Sequence, residues 1–180
     1  DTAVTDAGLK EMAQLQNLKT LHLIDTAVTD TRKTSTRFAS YRSASSVLKE
    51  LARLQNLKTL HLINNNITNT DLKELAQLQN LKTLHLGSKT RDTDPLTGLW
   101  RGSAITDAGL KEVAKLTKLE ALSLTGMDLT GVDPRTGLSP PPRFTARGLK
   151  EVAKLQNLKT LHLIDTAVTD TGLKELAQLQ

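Results

Sequence analysis

The chain has 180 residues, a net charge of +5, 38% hydrophobic and 24% charged residues, and no cysteine. These fractions are typical of a folded protein, and the length predicts a single domain over residues 1–180. The lack of cysteine excludes disulfides, thiolate metal sites and cysteine nucleophiles, and the absence of a long apolar run excludes a transmembrane helix, so no membrane partner is expected.

A 24-residue repeat organises the chain. The segment LQNLKTLHLIDTAVTDT occurs at residues 15–31 and again, letter for letter, at residues 155–171. The shorter motif LKE(L/M/V)A recurs at Leu9, Leu48, Leu72, Leu110, Leu149 and Leu173. The spacings between these leucines are 39, 24, 38, 39 and 24 residues, so three units carry 14 or 15 additional residues.

The first predicted element of each unit is a short helix. The sequence LKELAQLQ places apolar residues at helical spacing, as at Leu72, Leu75 and Leu78. An aspartate is expected to cap the start of the helix, as at Asp6, Asp107 and Asp170. A left-handed asparagine is expected to end the helix, at Asn17, Asn56, Asn80 and Asn157, whereas the fourth unit has Lys118 there.

The second predicted element is a strand. In LKTLHL, Leu21 and Leu23 alternate with Thr20 and His22, which gives one apolar and one polar face. A later apolar residue is expected to return to the core, at Val28, Ile67, Ile105, Phe144 and Val168. No unit can bury its apolar face alone, so the units are predicted to stack into a solenoid. Because helices are wider than strands, the stack should bend with its strands on the inside.

These motifs resemble the leucine-rich repeat, in which L-x-x-L-x-L precedes a small polar residue and an aliphatic one, as in LKTLHLIDTAV. The form TDAGLKEMAQLQNLKTLHL is similar to the helix-bearing repeats of bacterial proteins and of F-box substrate receptors. The resemblance covers the chain apart from three insertions. It implies an α/β fold: a right-handed solenoid with parallel strands on the concave face and short helices on the convex face. We interpret residues 1–180 as an internal fragment of a longer array.

The three insertions lie at about residues 32–46, 89–102 and 131–145. They contain all five prolines and all four aromatic residues, and their charges of +4, +1 and +1 leave −1 for the repeats. The second and third share the turn-forming pattern D-P-x-T-G-L. Each insertion lies between a strand and the next helix, so all three are predicted to leave the same edge of the solenoid.

The insertions supply four candidate binding residues. Loops on one edge of a rigid repeat scaffold are often binding loops. Tryptophan and arginine are strongly enriched at binding hot spots, and Trp100 and Arg101 are adjacent in the second insertion. Phe38 and Tyr41 lie among arginines in the first insertion. The alternatives are tolerated growth of surface loops, and a Trp100 that covers an apolar edge.

The polar face of the predicted sheet supplies the other candidates. All four histidines fall at one repeat position, two residues after a threonine. The resulting rows comprise Thr20, Thr59, Thr83 and Thr160, and His22, His61, His85, Ser123 and His162. Such an imidazole row could bind a transition metal, but duplication alone explains it, and we predict neither metal nor cofactor. Neighbouring imidazoles should lower one another's pKa values, so stability is expected to fall below about pH 6.

No sequence motif indicates an enzyme, because the chain lacks GxSxG, HExxH and a phosphate-binding glycine-rich loop. The favoured prediction is a non-enzymatic scaffold that binds a protein partner through its concave sheet and insertion loops. A less favoured prediction is nucleic-acid or polyanion binding through the insertion residues Arg32, Lys33, Arg37 and Arg42. A third is a structural spacer within a larger receptor or effector.

Overall fold

The computed structural model describes residues 6–24, 45–63, 67–87, 105–126, 145–164, 166, 168–177 and 179. Within these residues, six short helices alternate with five strands. In chain order the elements are α1 (Asp6–Met12), β1 (Thr20–Ile24), α2 (Ser45–Leu51), β2 (Thr59–Ile63), α3 (Asn69–Leu75), β3 (Thr83–Gly87), α4 (Asp107–Val113), β4 (Ala121–Thr125), α5 (Ala146–Val152), β5 (Thr160–Ile164) and α6 (Asp170–Leu176). Apart from Ser45 and Ser46, which begin α2, and Thr145, the three insertions lie outside the described residues.

The five strands form one parallel sheet in the order β1-β2-β3-β4-β5. Each strand pairs with the equivalent residues of the next repeat, so that Leu21, Leu60 and Leu84 are aligned. The helices connect successive strands and pack against one another in the same order. This arrangement confirms the α/β solenoid predicted from the repeat.

The core is a column of aliphatic side chains between the sheet and the helices. In the second repeat, Leu57, Leu60 and Leu62 are fully buried, and Leu48 and Leu51 meet them from the helix side. Burial of each leucine side chain stabilises the fold by about 2 kcal/mol relative to exposure. The predicted return of an apolar residue to the core is confirmed for Ile67 and Ile105, whereas Val28 and Phe144 lie outside the described residues.

Threonine, and not aspartate, caps the N-termini of the four helices α3 to α6. Thr68, Thr106, Thr145 and Thr169 have extended backbone, and their hydroxyls accept a backbone N–H from the first turn. The predicted aspartate cap is therefore wrong at Asp107 and Asp170, which are the first helical residues. A threonine fits the cap because its hydroxyl satisfies a donor that the helix leaves without a partner.

The first helical residue instead holds the cap of the next repeat. Asn69 Oδ1 accepts the Thr106 backbone N–H at 2.9 Å, and Asn69 Nδ2 donates to the Thr106 hydroxyl at 2.9 Å. Asp107 likewise accepts the backbone N–H of Thr145 at 2.8 Å and its hydroxyl at 2.5 Å. These contacts join residues 37 or 38 positions apart and tie each helix start to its neighbour.

Gly109 lies where α4 packs closely against α3. A Cβ atom at Gly109 would lie 2.5 Å from Asn69 Oδ1 and 2.8 Å from Leu72 Cδ1. The Asn69 side chain cannot move away without cost, because its amide forms hydrogen bonds with the hydroxyl and the backbone N–H of Thr106. Gly8 occupies the same place in the identical sequence DAGLKE of the first repeat, and a Cβ atom there would meet no atom of a described residue within 4 Å.

We predict that Gly109→Ala destabilises the protein by about 1–2 kcal/mol, because the added methyl group overpacks the α3–α4 contact. The matched control, Gly8→Ala, should be neutral or stabilising by up to about 1 kcal/mol, because alanine favours helix over glycine. Urea unfolding of both variants measures the difference. Equal effects at the two positions would contradict the close approach.

The asparagines that follow the helices link neighbouring repeats. Helix α3 ends at Leu75, and its C-cap Ala76 is right-handed, with φ −60° and ψ −11°. Asn80 comes four residues later, and its side-chain amide donates to the Gln55 carbonyl at 2.9 Å. The equivalent bonds of Asn56 and Asn157 are both 2.8 Å. The prediction of a helix-ending asparagine is therefore wrong, since the helix stops before it.

Lys118 takes the asparagine position in the fourth repeat without changing the local turn. The Leu119 backbone N–H donates to the Leu116 carbonyl at 2.9 Å, as Leu81 donates to Leu78 at 3.0 Å. Lys118 Nζ donates to Asn80 Oδ1 at 2.8 Å. The substitution therefore replaces an amide–carbonyl link between repeats with an amine–amide link.

We predict that Asn80→Ala costs about 1 kcal/mol, because it removes the bond to Gln55 and the acceptor of Lys118. Asn17→Ala is the matched control, since Asn17 makes no side-chain hydrogen bond to another described residue and should cost less than about 0.5 kcal/mol. Thermal and urea unfolding compare the two variants. Similar losses at both positions would exclude a role for the link between repeats.

Candidate functional site

The in-register sheet places the predicted threonine and histidine rows on the face opposite the leucine core, which we call the concave face. Thr20, Thr59 and Thr83 are aligned across β1–β3, and His22, His61 and His85 are aligned beside them. The rows continue through Ala121 and Ser123 in β4 to Thr160 and His162 in β5. The structure thus brings together every sheet residue of the predicted binding site.

Three of the four imidazoles form a continuous stack. The ring centres of His22 and His61 are 4.0 Å apart with planes 8° from parallel, and those of His61 and His85 are 4.0 Å apart at 7°. Backbones of neighbouring strands are about 4.8 Å apart. The side chains therefore converge on this side of the sheet, which is the geometry of a concave surface.

This stacking does not suit metal chelation. The nitrogen lone pairs of an imidazole lie in the ring plane, so parallel stacked rings aim them side by side and not toward a common point. Among the described residues, no group of three or more His, Asp or Glu side chains is placed to hold a metal ion. The row therefore acts as a surface of ring faces and edges.

Burial and mutual repulsion keep the middle of the stack neutral. The pKa of His61 is lowered from 6.5 to about 4, first because burial penalises the charged ring, and further because His85 and His22 lie beside it. Burial also lowers the pKa of His85, with added repulsion from His162 and His22. Near neutral pH these two rings are uncharged and can accept or donate hydrogen bonds at their edges.

The lysines that precede the strands form one border of the concave face. Lys19, Lys58, Lys82 and Lys159 share a repeat position, and Glu120 occupies it in the fourth repeat. The Glu120 carboxylate pairs with Nζ of Lys82 on one side and with Nζ of Lys159, at 2.9 Å, on the other. Hydrogen bonds from these two ammonium groups lower the pKa of Glu120 to about 2, so the carboxylate stays ionised.

An apolar margin borders the opposite end of the strands. Ile24 is 40% exposed and Ile164 is 51% exposed. Ile63, which pairs with Ile24 on the next strand, is half-buried. The sequence analysis missed these residues, although the strand alternation that exposes His22 also places Ile24 on the same face. A partner on the concave face would meet charge, hydroxyls, imidazoles and aliphatic side chains in succession.

The insertion residues in the predicted site, Phe38, Tyr41, Trp100 and Arg101, lie outside the described residues. The basic residues of the polyanion alternative, Arg32, Lys33, Arg37 and Arg42, lie outside them as well. No helix within the described part of the chain is long and apolar enough to cross a membrane.

Two family models match the chain. One describes two copies of leucine-rich repeats and matches residues 55–98, and the other describes a single leucine-rich repeat and matches residues 154–177. The segments that they leave unmatched repeat the same motif in the same parallel sheet. The chain contains leucine-rich repeats. Proteins of this family generally act as protein-interaction scaffolds.

Solved leucine-rich repeat structures are similar to this one. A leucine-rich repeat protein of Leptospira interrogans is 25% identical with a TM-score of 0.52, and the match covers all of this chain and 35% of that protein. An internalin of Listeria monocytogenes is 22% identical with a TM-score of 0.39, over 95% of this chain and 49% of that one. The chain thus spans a third to a half of their lengths. No curated protein matches it in sequence.

We predict that stability falls as the pH drops from 6.5 to about 4. In this window the unfolded chain binds a proton at His61 that the native stack does not bind, so unfolding takes up protons. Above pH 6.5 both states are neutral at this position and its contribution is constant. Urea unfolding at pH 7, 6 and 5 measures the trend, and NMR titration of the imidazole carbons reports the His61 pKa directly.

The matched control is His61→Gln/His85→Gln, which removes both lowered pKa values but keeps polar side chains on the concave face. Its stability should change less between pH 7 and pH 5 than that of the parent. Parent stability that stays constant across this range would contradict the lowered pKa values.

Proposed function

We propose that this chain is a non-enzymatic scaffold that binds a protein partner on its concave face. The observation that carries the proposal is the pair of in-register rows that crosses all five strands, with threonine and histidine on four strands and Ala121 and Ser123 on β4. Leucine-rich repeat proteins are typically non-enzymatic binding scaffolds, which supports this reading of the rows.

The rows are organised before any partner arrives. Their backbones belong to one hydrogen-bonded sheet, and three of the imidazoles hold one another by stacking at 4.0 Å. A surface that is already ordered loses little conformational entropy on binding, so more of its contact energy is available as affinity. This supports recognition by the sheet itself.

The charges along the lysine border favour a partner with acidic groups at that edge. Lys19 and Lys58 are exposed and form no ion pair with a described residue, whereas Lys82 and Lys159 share Glu120. The β1–β2 end of the border is therefore its more positive end. Complementary charge raises the rate of encounter and fixes orientation more than it raises affinity.

The insertions would extend this surface. Ile24, Gly87 and Gly126 are the last described residues before the three insertions, and all three lie at the edge of the sheet where the apolar margin lies. Loops that begin there would lie beside the concave face. From that edge, Trp100 and Arg101, with Phe38 and Tyr41, would contribute to binding.

Peptides selected by phage display against the folded chain test the proposal. The variant Thr59→Arg/Thr83→Arg places two large charged side chains on the concave face and should lower its affinity for the selected peptides by about tenfold or more. The matched control, Gln14→Arg/Gln77→Arg, adds the same charge at exposed positions two residues beyond the ends of α1 and α3, and should change affinity less than about twofold.

Circular dichroism and urea unfolding establish that both variants are folded. The concave face is excluded as the binding surface if the peptides bind Thr59→Arg/Thr83→Arg as tightly as the parent. It is also excluded if they lose affinity only for Gln14→Arg/Gln77→Arg.

A further inference from the structure

The fourth repeat interrupts the stack of imidazoles with a small residue. His85, Ser123 and His162 are paired in register across β3, β4 and β5, so Ser123 stands where the row would otherwise place a ring. Ala121 replaces threonine in the neighbouring row of the same strand. We call the space above Ser123, between the rings of His85 and His162, the aromatic slot.

The width of the slot follows from the stack beside it. The rings on β1, β2 and β3 are 4.0 Å apart, and the same spacing carried across β4 places the ring centre of His162 roughly 8 Å from that of His85. No direct ring contact joins these two histidines. One planar ring placed midway would lie at van der Waals distance, about 4 Å, from each wall.

We propose that the aromatic slot receives one neutral aromatic side chain, tryptophan or tyrosine, from the partner protein. The inserted ring would take the place of the missing imidazole and complete a continuous stack from His22 to His162. The inference rests on the proposed function, because it names the side chain that the concave face would recognise there.

The charges around the slot favour a neutral ring over a cation. The Glu120 carboxylate at the end of β4 nearest the lysine border is already bound by Lys82 and Lys159, so these three groups together carry a positive charge. An arginine or lysine side chain would therefore meet repulsion, and the described residues offer no free carboxylate there to offset it.

The floor of the slot provides a polar group for the edge of the ring. Ser123 is 8% exposed, and its hydroxyl shares a hydrogen bond of 3.0 Å with the Thr125 hydroxyl, in which either oxygen can donate. A serine hydroxyl has two acceptor positions and one donor. The Ser123 hydroxyl can therefore accept a hydrogen bond from an indole N–H, or pair with a phenol hydroxyl, while it keeps its hydrogen bond to Thr125. This is why the proposal names tryptophan and tyrosine, whose rings are apolar and whose edges are polar.

The probe for the test is N-acetyl-tryptophanamide, titrated into the folded chain while the imidazole carbon–proton signals are followed by NMR. Ring-current shifts are expected at His85 and His162, the two walls, and not at His22. Weak binding in the millimolar range is expected for a single ring. A parallel titration with adenosine distinguishes an aromatic side chain from a nucleobase.

Two opposite substitutions sharpen the test. Ser123→His fills the slot with a fifth imidazole and should lower the affinity for the probe by about tenfold or more. His61→Ser removes a ring between His22 and His85 and should open a second slot, so that the probe now shifts the His22 signal. Circular dichroism checks that each variant retains the parent fold.

The proposal is overturned if the probe shifts His22 as much as His85 in the parent, if Ser123→His binds it equally well, or if adenosine binds more tightly. Its failure would be distinct from failure of the scaffold proposal. In that case phage-selected peptides would still lose affinity for Thr59→Arg/Thr83→Arg but would be insensitive to Ser123→His.

Discussion

Every feature of this protein depends on one constraint: no repeat can bury its own leucines. Leu60 and Leu62 are fully buried because they lie in a column between the equivalent leucines of neighbouring strands. A strand shifted by one residue would turn its leucines to the opposite face, so burial enforces a strict register. That register carries each repeat position into line with the same position of the next repeat.

Strict register converts recurring residues into interactions that run along the stack. The amide of Asn80 reaches the preceding repeat, and Asn69 reaches forward to the cap at Thr106. The imidazoles of His22, His61 and His85 meet face to face for the same reason. A residue that would be a local choice in a single helix or strand becomes a contact between repeats. Its contribution to stability therefore depends on which neighbour is present, as the comparison of Gly109 with Gly8 illustrates.

The fourth repeat shows what happens when the columns are broken. Its departures, Lys118, Glu120, Ala121 and Ser123, leave the core leucines and the strand register unchanged. Their effects appear where the columns face solvent: a lysine bond replaces an asparagine link, a carboxylate joins two lysines, and a ring is missing from the stack. The solenoid thus separates a conserved interior pattern from a variable surface. A single divergent repeat can therefore create a local binding feature on an otherwise uniform face.

The period, the alternation of short helices and strands, the leucine core and the two rows of the concave face can all be predicted from the amino-acid sequence. These follow from local spacing, because a period of 24 residues and an alternation of two are visible along the chain. The tertiary structure decided that Thr106 caps its helix where Asp107 was expected, that Asn80 bonds to Gln55, that Gly109 is tightly enclosed and that the imidazoles stack at 4.0 Å. The last three depend on distances of a few ångströms between residues about 24 to 40 positions apart, and Asn69, 37 positions away, holds the Thr106 cap, so only the packing of neighbouring repeats sets these contacts.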